Sequence, residues 1–448
     1  MNIVIGIDLG TTNSAVAYLT GEGPQIIPNA LGNRLTPSII GVDDRGVVLV
    51  GAAARELAVV RPDRCVSLFK RLMGTDRTTT IGSRSFTPED LSGLVLRSLK
   101  QDAEAFFKHE VTRAVVTVPA YFNDRQRKAT IAAGRIAGLT VERILNEPTA
   151  AAIAYGFHEA AEDKTILVFD LGGGTFDVSI VEQFDGALEV RSSAGETSLG
   201  GEDFTRALAA RVLESVGMAY ERTEATMPLL VARVLQQCER AKCKLTRDDD
   251  AVVKVPNAAG DLDNGRDVTI TRQQLEQWVT PTLSRIEGPI RRSLTDARLT
   301  REKINEVILV GGATRMPLVV QRVRELFGKE PQTRFNPDEV VALGAAVQAG
   351  LVAQNNAVSE MVVTDVSPFS LGVAISKELG GQIRDGYFDS VIDRNTVIPV
   401  SRVKRYNTMR PNQTIITLQI YQGESRRVEE NLLLGQFDVN GIPPGPAG

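Results

Sequence analysis

A chain of 448 residues is long enough for two or three domains. Its 43% hydrophobic and 24% charged residues are ordinary globular values, which exclude a disordered or fibrous chain. A net charge of −4, with only two histidines and three cysteines, argues against nucleic-acid or membrane binding, a zinc site or a disulfide framework. Cys65, Cys238 and Cys243 read as reduced thiols of a cytoplasmic protein. Met1-Asn2-Ile3-Val4 enters the first strand at once, leaving no room for a signal peptide, and no apolar run is long enough to span a bilayer.

The first element is Ile5-Gly6-Ile7-Asp8-Leu9-Gly10-Thr11-Thr12-Asn13-Ser14-Ala15-Val16-Ala17, an apolar strand that turns into a second strand. A mixed segment to about Ser83 ends in Leu68-Phe69-Lys70-Arg71-Leu72-Met73-Gly74. Thr87-Pro88-Glu89-Asp90 predicts a helix start, with Thr87 as cap, Pro88 in the first turn and Asp90 closing a capping box. Leu91, Leu94, Val95, Leu99 and Phe106 recur along it at helical spacing, which predicts core packing. A strand over Ala114–Val118 follows, then Pro119 and a helix capped by Asn123.

Strands over Thr165–Phe169 and Val178–Val181 enclose Asp170-Leu171-Gly172-Gly173-Gly174-Thr175-Phe176-Asp177. Adjacent glycines can turn their amides inward around an anion. A carboxylate at each end suits a phosphate that carries a metal ion, because Mg²⁺ binds through a few carboxylates, water and phosphate oxygens. Alone, such a run is usually only a hairpin turn. Here the N-terminal hairpin repeats it, since both copies begin Asp-Leu-Gly after an apolar strand. Two such hairpins face to face can hold a nucleotide's phosphates and metal from both sides.

Strand and helix alternate up to Asn336-Pro337-Asp338-Glu339, which predicts the start of a last helix. Its small residues, Val341 through Val347, would let another backbone pack closely. Beyond Leu351, Gln354-Asn355-Asn356-Ala357 reads as a linker, and helical periodicity disappears from Val366 onward. Thr414–Tyr421 is a predicted strand with Ile416, Leu418 and Ile420 on one face. The expected organisation is an α/β domain over 1–353, a linker over 354–365 and an all-β piece over 366–448.

The two hairpins, with Val310-Gly311-Gly312-Ala313-Thr314-Arg315, resemble the phosphate loops and adenosine loop of the actin, sugar-kinase and heat-shock ATPase fold. Over nearly its whole length the chain is identified as a member of the seventy-kilodalton heat-shock chaperones of the DnaK type. The motifs are Gly6–Ser14, Val118–Asp124, Asn146–Ala151, Asp170–Asp177, Leu199–Phe204, Glu239–Lys242 and Asn336–Glu339, with Ser367–Gly372 and Leu434–Phe437 in the tail. The resemblance implies a two-lobed actin-like ATPase fold followed by a partial β-sandwich, ending before the family's last strands and helical lid. It implies an ATP-dependent chaperone that hydrolyses ATP to ADP and binds extended apolar segments of unfolded proteins. A J-domain co-chaperone and a nucleotide-exchange factor are its implied partners. The alternative is an actin-like nucleotide-binding filament or scaffold.

Asp8, Asp170, Asp177 and Glu147 would repel one another if crowded without a cation. The resemblance puts Asp8 and Asp170 on the water shell of Mg²⁺, with Glu147 and Asp177 near the metal and the attacking water, and K⁺ beside the phosphates. Lys70 matches the lysine that holds the lytic water in line; a lysine is a poor base at neutral pH, so its role is positioning. Gly10, Thr11, Thr12, Asn13, Gly172, Gly173, Gly174, Thr175, Gly200, Gly201 and Glu202 fall on the phosphate side. Glu239, Lys242, Thr246, Gly311, Gly312, Arg315 and Asp338 fall on the adenosine side, where Cys243 replaces a second arginine of some relatives.

Pro119 and Arg127 resemble the family's switch pair, Arg143 its linker-docking arginine and Asp365 its linker acid. The linker run Met361-Val362-Val363-Thr364 departs from the usual leucines and resembles a specialised bacterial branch of the HscC type. Val373, Tyr406, Met409, Ile416 and Leu418 map onto the peptide cleft.

Overall fold

The computed structural model describes residues 3–157, 163–184, 187–257, 261–262, 264–354, 362–380 and 382–447. Met361 and most of the expected linker lie outside the described residues.

The duplication seen in the hairpins extends to their sheets. In the first six-stranded sheet, Val4–Asp8 pairs antiparallel with Asn13–Thr20 and parallel with Arg113–Val118. In the second, Lys164–Leu171 pairs antiparallel with Phe176–Phe184 and parallel with Glu306–Val310. Both faces of these sheets are covered, so the strands are near-continuous apolar runs such as Ile166-Leu167-Val168-Phe169, all fully buried.

Between the sheets lie the helices Glu147–Gly156 and Val340–Val352, buried on every side. They cross so closely that a Cβ on Gly344 would stand 1.7 Å from the Ala150 carbonyl oxygen. That is the close approach expected of the small residues. The helix itself begins later than the Asn336-Pro337-Asp338-Glu339 signature predicts, at Val340. The signature forms a separate turn instead, because Gly311 N–H takes the Pro337 carbonyl (2.9 Å) and Arg34 grips Glu339 through two bonds of 2.8 and 2.7 Å.

The capping box at Thr87 and the cap at Asn123 form as read, and the second closes a box as well. Thr87 and Asp90 exchange hydrogen bonds at the start of Pro88–Phe107, and Asn123 and Gln126 do so at the start of Asp124–Ile136. Along the first helix Leu91, Val95 and Leu99 are buried, but Phe106 is exposed and stacks on Tyr18 and Phe107 at the rim. Helical spacing cannot tell a last-turn residue that packs on one exposed edge from those covered on every side.

Strand Val362–Val366 adds to the second sheet, parallel to Ala187–Glu196, and pairs on its other side with Val397–Ile398. Past it a four-stranded antiparallel sheet takes the order Gln382–Ile392, Leu371–Leu379, Ile415–Gln422, Leu432–Asn440. Ile416, Leu418 and Ile420 share one face of Ile415–Gln422, as the alternation predicts.

Candidate active site

The two hairpins meet tip to tip. A Cβ on Gly173 would lie 1.8 Å from Thr12 Oγ1, and one on Gly174 would lie 2.5 Å from Thr11 Cγ2. Only glycine permits this approach, and it brings Gly10, Thr11, Thr12 and Asn13 against Gly172, Gly173, Gly174 and Thr175. Gly172 N–H closes the second turn on the Thr175 carbonyl at 3.1 Å. The helix Gly201–Ser215 starts on this turn, with Gly201 and Glu202 donating their N–H groups to the carbonyls of Gly172 and Gly173, both at 2.9 Å. Gly200 precedes that helix and donates its N–H to Asp203.

Beneath the tips the acidic groups converge. Asp8 ends its strand and accepts from Thr117 Oγ1 at 3.1 Å. Asp170 and Asp177 face each other in register, and Asp177 Oδ1 accepts from Tyr121 N–H at 3.1 Å. Burial first, then the Glu147 charge, raises Asp8 and Asp177 to about 7. The same causes, with Asp177 and Asp8 added, hold Asp170 well above its usual range. Lys70 Nζ lies 2.6 Å from Glu147 Oε1, both buried.

One ammonium against four carboxylates leaves a buried excess of negative potential, and a hard divalent cation fits it. Among the described residues no three carboxylate, thiol or imidazole groups sit close enough to ligate a metal directly. Asp8, Asp170, Asp177 and Glu147 are the carboxylates that would hold such an ion.

Among the residues expected on the adenosine side, Glu239 pairs with Lys242 at 2.6 Å, and Lys242 Nζ also donates to the Gly201 carbonyl at 2.8 Å. That contact ties this helix to the phosphate side, beyond a solvated surface pair. Thr246 Oγ1 donates to the Cys243 carbonyl, and Cys243 itself is exposed. Arg315 is held by Asp338 at 2.7 Å and by Asn336, so the loop bearing Gly311 and Gly312 and the turn bearing Asp338 form one wall.

Arg71 is a contributor that sequence reasoning missed. Its Nε donates to the Gly174 carbonyl at 3.0 Å and its Nη2 to Asp203 Oδ2 at 2.6 Å, joining the first lobe to the second. Adjacency to Lys70 is its only sequence signal.

The coupling residues largely come together. Arg127 donates to the carbonyls of Phe122 and Ala120 and, at 2.7 Å, to Asn146 Oδ1. Pro119 begins the same turn, its carbonyl accepting from Phe122 N–H. Asn146 Nδ2 in turn donates to Asp365 Oδ2 at 2.9 Å, where Thr149 Oγ1 joins at 3.1 Å. Arg143 is not among these partners; it is exposed on strand Thr140–Asn146. Asn146 and Thr149, inside a motif used only for recognition, are the residues that hold the linker acid.

Further contacts join the β sheet to the lobes. Arg394 pairs with Asp296 at 2.8 Å, Asp124 N–H donates to Gln422 Oε1 at 3.0 Å, and Tyr121 stacks on Phe369 at 4.5 Å. Of the expected cleft residues, Val373, Ile416 and Leu418 are half-buried on the sheet, while Tyr406 and Met409 are exposed on the loop before Ile415.

Two like half-structures meeting at duplicated glycine hairpins, with an added strand and a trailing β sheet, define an actin-like α/β fold extended by a β region. Residues 4–448 match the profile of a family described as Hsp70 protein. The chain is 42% identical over 451 residues, 99% of its own length and 74% of the relative's, to the chaperone protein DnaK of Thermotoga neapolitana. It matches the chaperone protein DnaK of Thermotoga petrophila at the same identity and coverage. The chain belongs to the Hsp70 family of ATP-hydrolysing chaperones. Neither relative favours the filament reading.

Proposed function

We infer that this chain couples ATP hydrolysis at the Lys70–Glu147 pair to its grip on extended apolar peptide segments, through Asn146 and Asp365. One observation carries the reading. Glu147, paired with Lys70, directly follows Asn146, which hydrogen-bonds the buried Asp365 on the added linker strand. A change at the phosphate end of the Glu147–Gly156 helix therefore acts on the linker through adjacent atoms of one backbone.

Bound ATP with Mg²⁺ supplies the phosphoryl group and the charge neutralisation that its transfer to water needs. Asp8 and Asp170 would hold the metal through water, with Asp177 and Glu147 nearby. Lys70, fixed by Glu147, orients the attacking water and stabilises charge on the transferring group. Thr11, Thr175 and the glycine amides cradle the phosphates, and Glu239, Lys242, Thr246 and Arg315 line the nucleoside. K⁺ is the natural occupant for negative charge left beside the phosphates. Pro119 and Arg127 are the switch between site and linker, and Arg143, exposed on strand Thr140–Asn146, is offered to a J-domain co-chaperone.

Val373, Ile416, Leu418, Tyr406 and Met409 form the peptide cleft. A nucleotide-exchange factor would complete the cycle, in the cytoplasm; no helix among the described residues is long and apolar enough to cross a membrane. The test is steady-state ATPase with an apolar peptide and a J-domain protein, each alone and together. Stimulation by both is expected, and a rate indifferent to peptide would overturn the reading.

A further inference from the structure

The loop over 399–414, between Val397–Ile398 and Ile415–Gln422, carries an unbalanced charge. Arg402, Lys404, Arg405 and Arg410 fall on it with no acidic residue among them. Side-chain contacts tie it to the neighbouring strand, and it is also braced from within. Lys404 Nζ and Tyr406 Oη converge on Asp389 Oδ2 at 2.7 and 2.9 Å, and Met409 N–H donates to Gln413 Oε1 at 3.0 Å.

Lys404 is thereby neutralised, but the other three cations are not. Arg402, Arg405 and Arg410 are exposed and make no hydrogen bond or ion pair with any described residue. Apolar side chains stand between them, with Val403 at 93%, Met409 at 39% and Tyr406 at 37% exposure. A guanidinium is weakly hydrated and matches a carboxylate through two parallel hydrogen bonds. Free arginines alternating with bare apolar groups complement a chain segment that alternates apolar side chains with carboxylates.

We propose that the peptide site selects apolar segments flanked by Asp or Glu, with Arg402, Arg405 and Arg410 as the selecting residues. This rests on the reading of Tyr406 and Met409 as cleft residues. A nucleic-acid strand is the poorer occupant: three free arginines on a chain of net charge −4 make no long cationic track for a phosphate backbone. Short acidic flanks match three cations.

The test uses the full chain with ADP and three fluorescent peptides that share one apolar core and carry Asp, Ser or Lys flanks. At low ionic strength the Asp-flanked peptide is expected to bind about tenfold more tightly than the Lys-flanked one, with the Ser-flanked peptide between. The gap should collapse at high salt and in a variant carrying Arg402→Ser, Arg405→Ser and Arg410→Ser, whose affinity for the Ser-flanked peptide changes less than about twofold. Equal binding of all three peptides overturns the selectivity and leaves the cleft standing. Binding of none overturns the cleft and the proposal with it. Competition by a single-stranded oligonucleotide as effective as the Asp-flanked peptide would show a general polyanion surface and also overturn it.

Discussion

Asn146 donates to the linker carboxylate of Asp365 at 2.9 Å, and the next residue along the chain, Glu147, grips the Lys70 ammonium at 2.6 Å. The two contacts sit on successive residues at the start of one buried helix, so the helix end cannot move without disturbing both. Arg127 reinforces the arrangement from the opposite side by holding Asn146 Oδ1 at 2.7 Å.

Replacing Lys70 by Ala should leave ATP affinity nearly intact and slow hydrolysis by about a hundredfold or more, because the lost interaction acts on the transition state. Single-turnover hydrolysis beside equilibrium nucleotide binding separates the two effects. Near-normal single-turnover rates would remove Lys70 from the chemistry. The variant should also lose thermal stability without nucleotide, since Glu147 is left buried without its cation.

Arg71→Ala should speed ADP release by several-fold while changing the hydrolysis step less. The side chain ties Gly174 and Asp203 of one lobe to the short helical turn Phe69–Leu72 of the other, and opening the cleft must break that tie. Stopped-flow release of a fluorescent ADP reads this directly. An unchanged rate would mean the lobes part elsewhere.

Asp365→Ala removes the acceptor shared by Asn146 and Thr149 and should abolish most peptide stimulation while basal hydrolysis stays within a few-fold. Each lost hydrogen bond to this carboxylate weakens docking by about 1–3 kcal/mol, enough to shift a near-balanced docking equilibrium. Chains ending at Asn355 and at Asp365 should likewise hydrolyse ATP at different rates. Equal rates, or full peptide stimulation in Asp365→Ala, would make the linker a tether.

The nucleotide-free protein should lose stability as pH rises toward neutrality. Asp8 and Asp177 titrate near 7 when folded and near 3.8 ordinarily, so between those values the folded state binds protons that the unfolded chain has released. Their contribution is therefore full below about pH 4, declines up to about pH 7 and is then gone. A Tm lower at pH 7.5 than at pH 5.5 is expected, with Mg-ADP stabilising more at the higher pH and releasing protons on binding. A Tm that climbs steadily over this range would contradict the buried carboxylate cluster.

Local chemistry was readable from residues because it acts over three or four positions. Thr87 with Asp90 and the cap Asn123 form as read, and the repeated Asp-Leu-Gly announced two hairpins, which meet at their tips. Phe106 and the late start of the last helix escaped for one reason: each depends on what lies alongside, Tyr18 and Phe107 in one case and Arg34 with Gly311 in the other.

The sequence by itself determined the strand-turn-strand pairs, the glycines at their tips, the carboxylates below them and the change of texture after Leu351. Each follows from covalent geometry or from side-chain periodicity along a single element. Only the tertiary structure decided that Arg71 bridges the lobes, that Asn146 and Thr149 rather than Arg143 hold Asp365, and that Arg402, Arg405 and Arg410 find no partner among the described residues while Lys404 is neutralised. These outcomes depend on which distant groups reach hydrogen-bonding distance of about 3 Å, a quantity set by the packing of whole elements and not encoded at any one position.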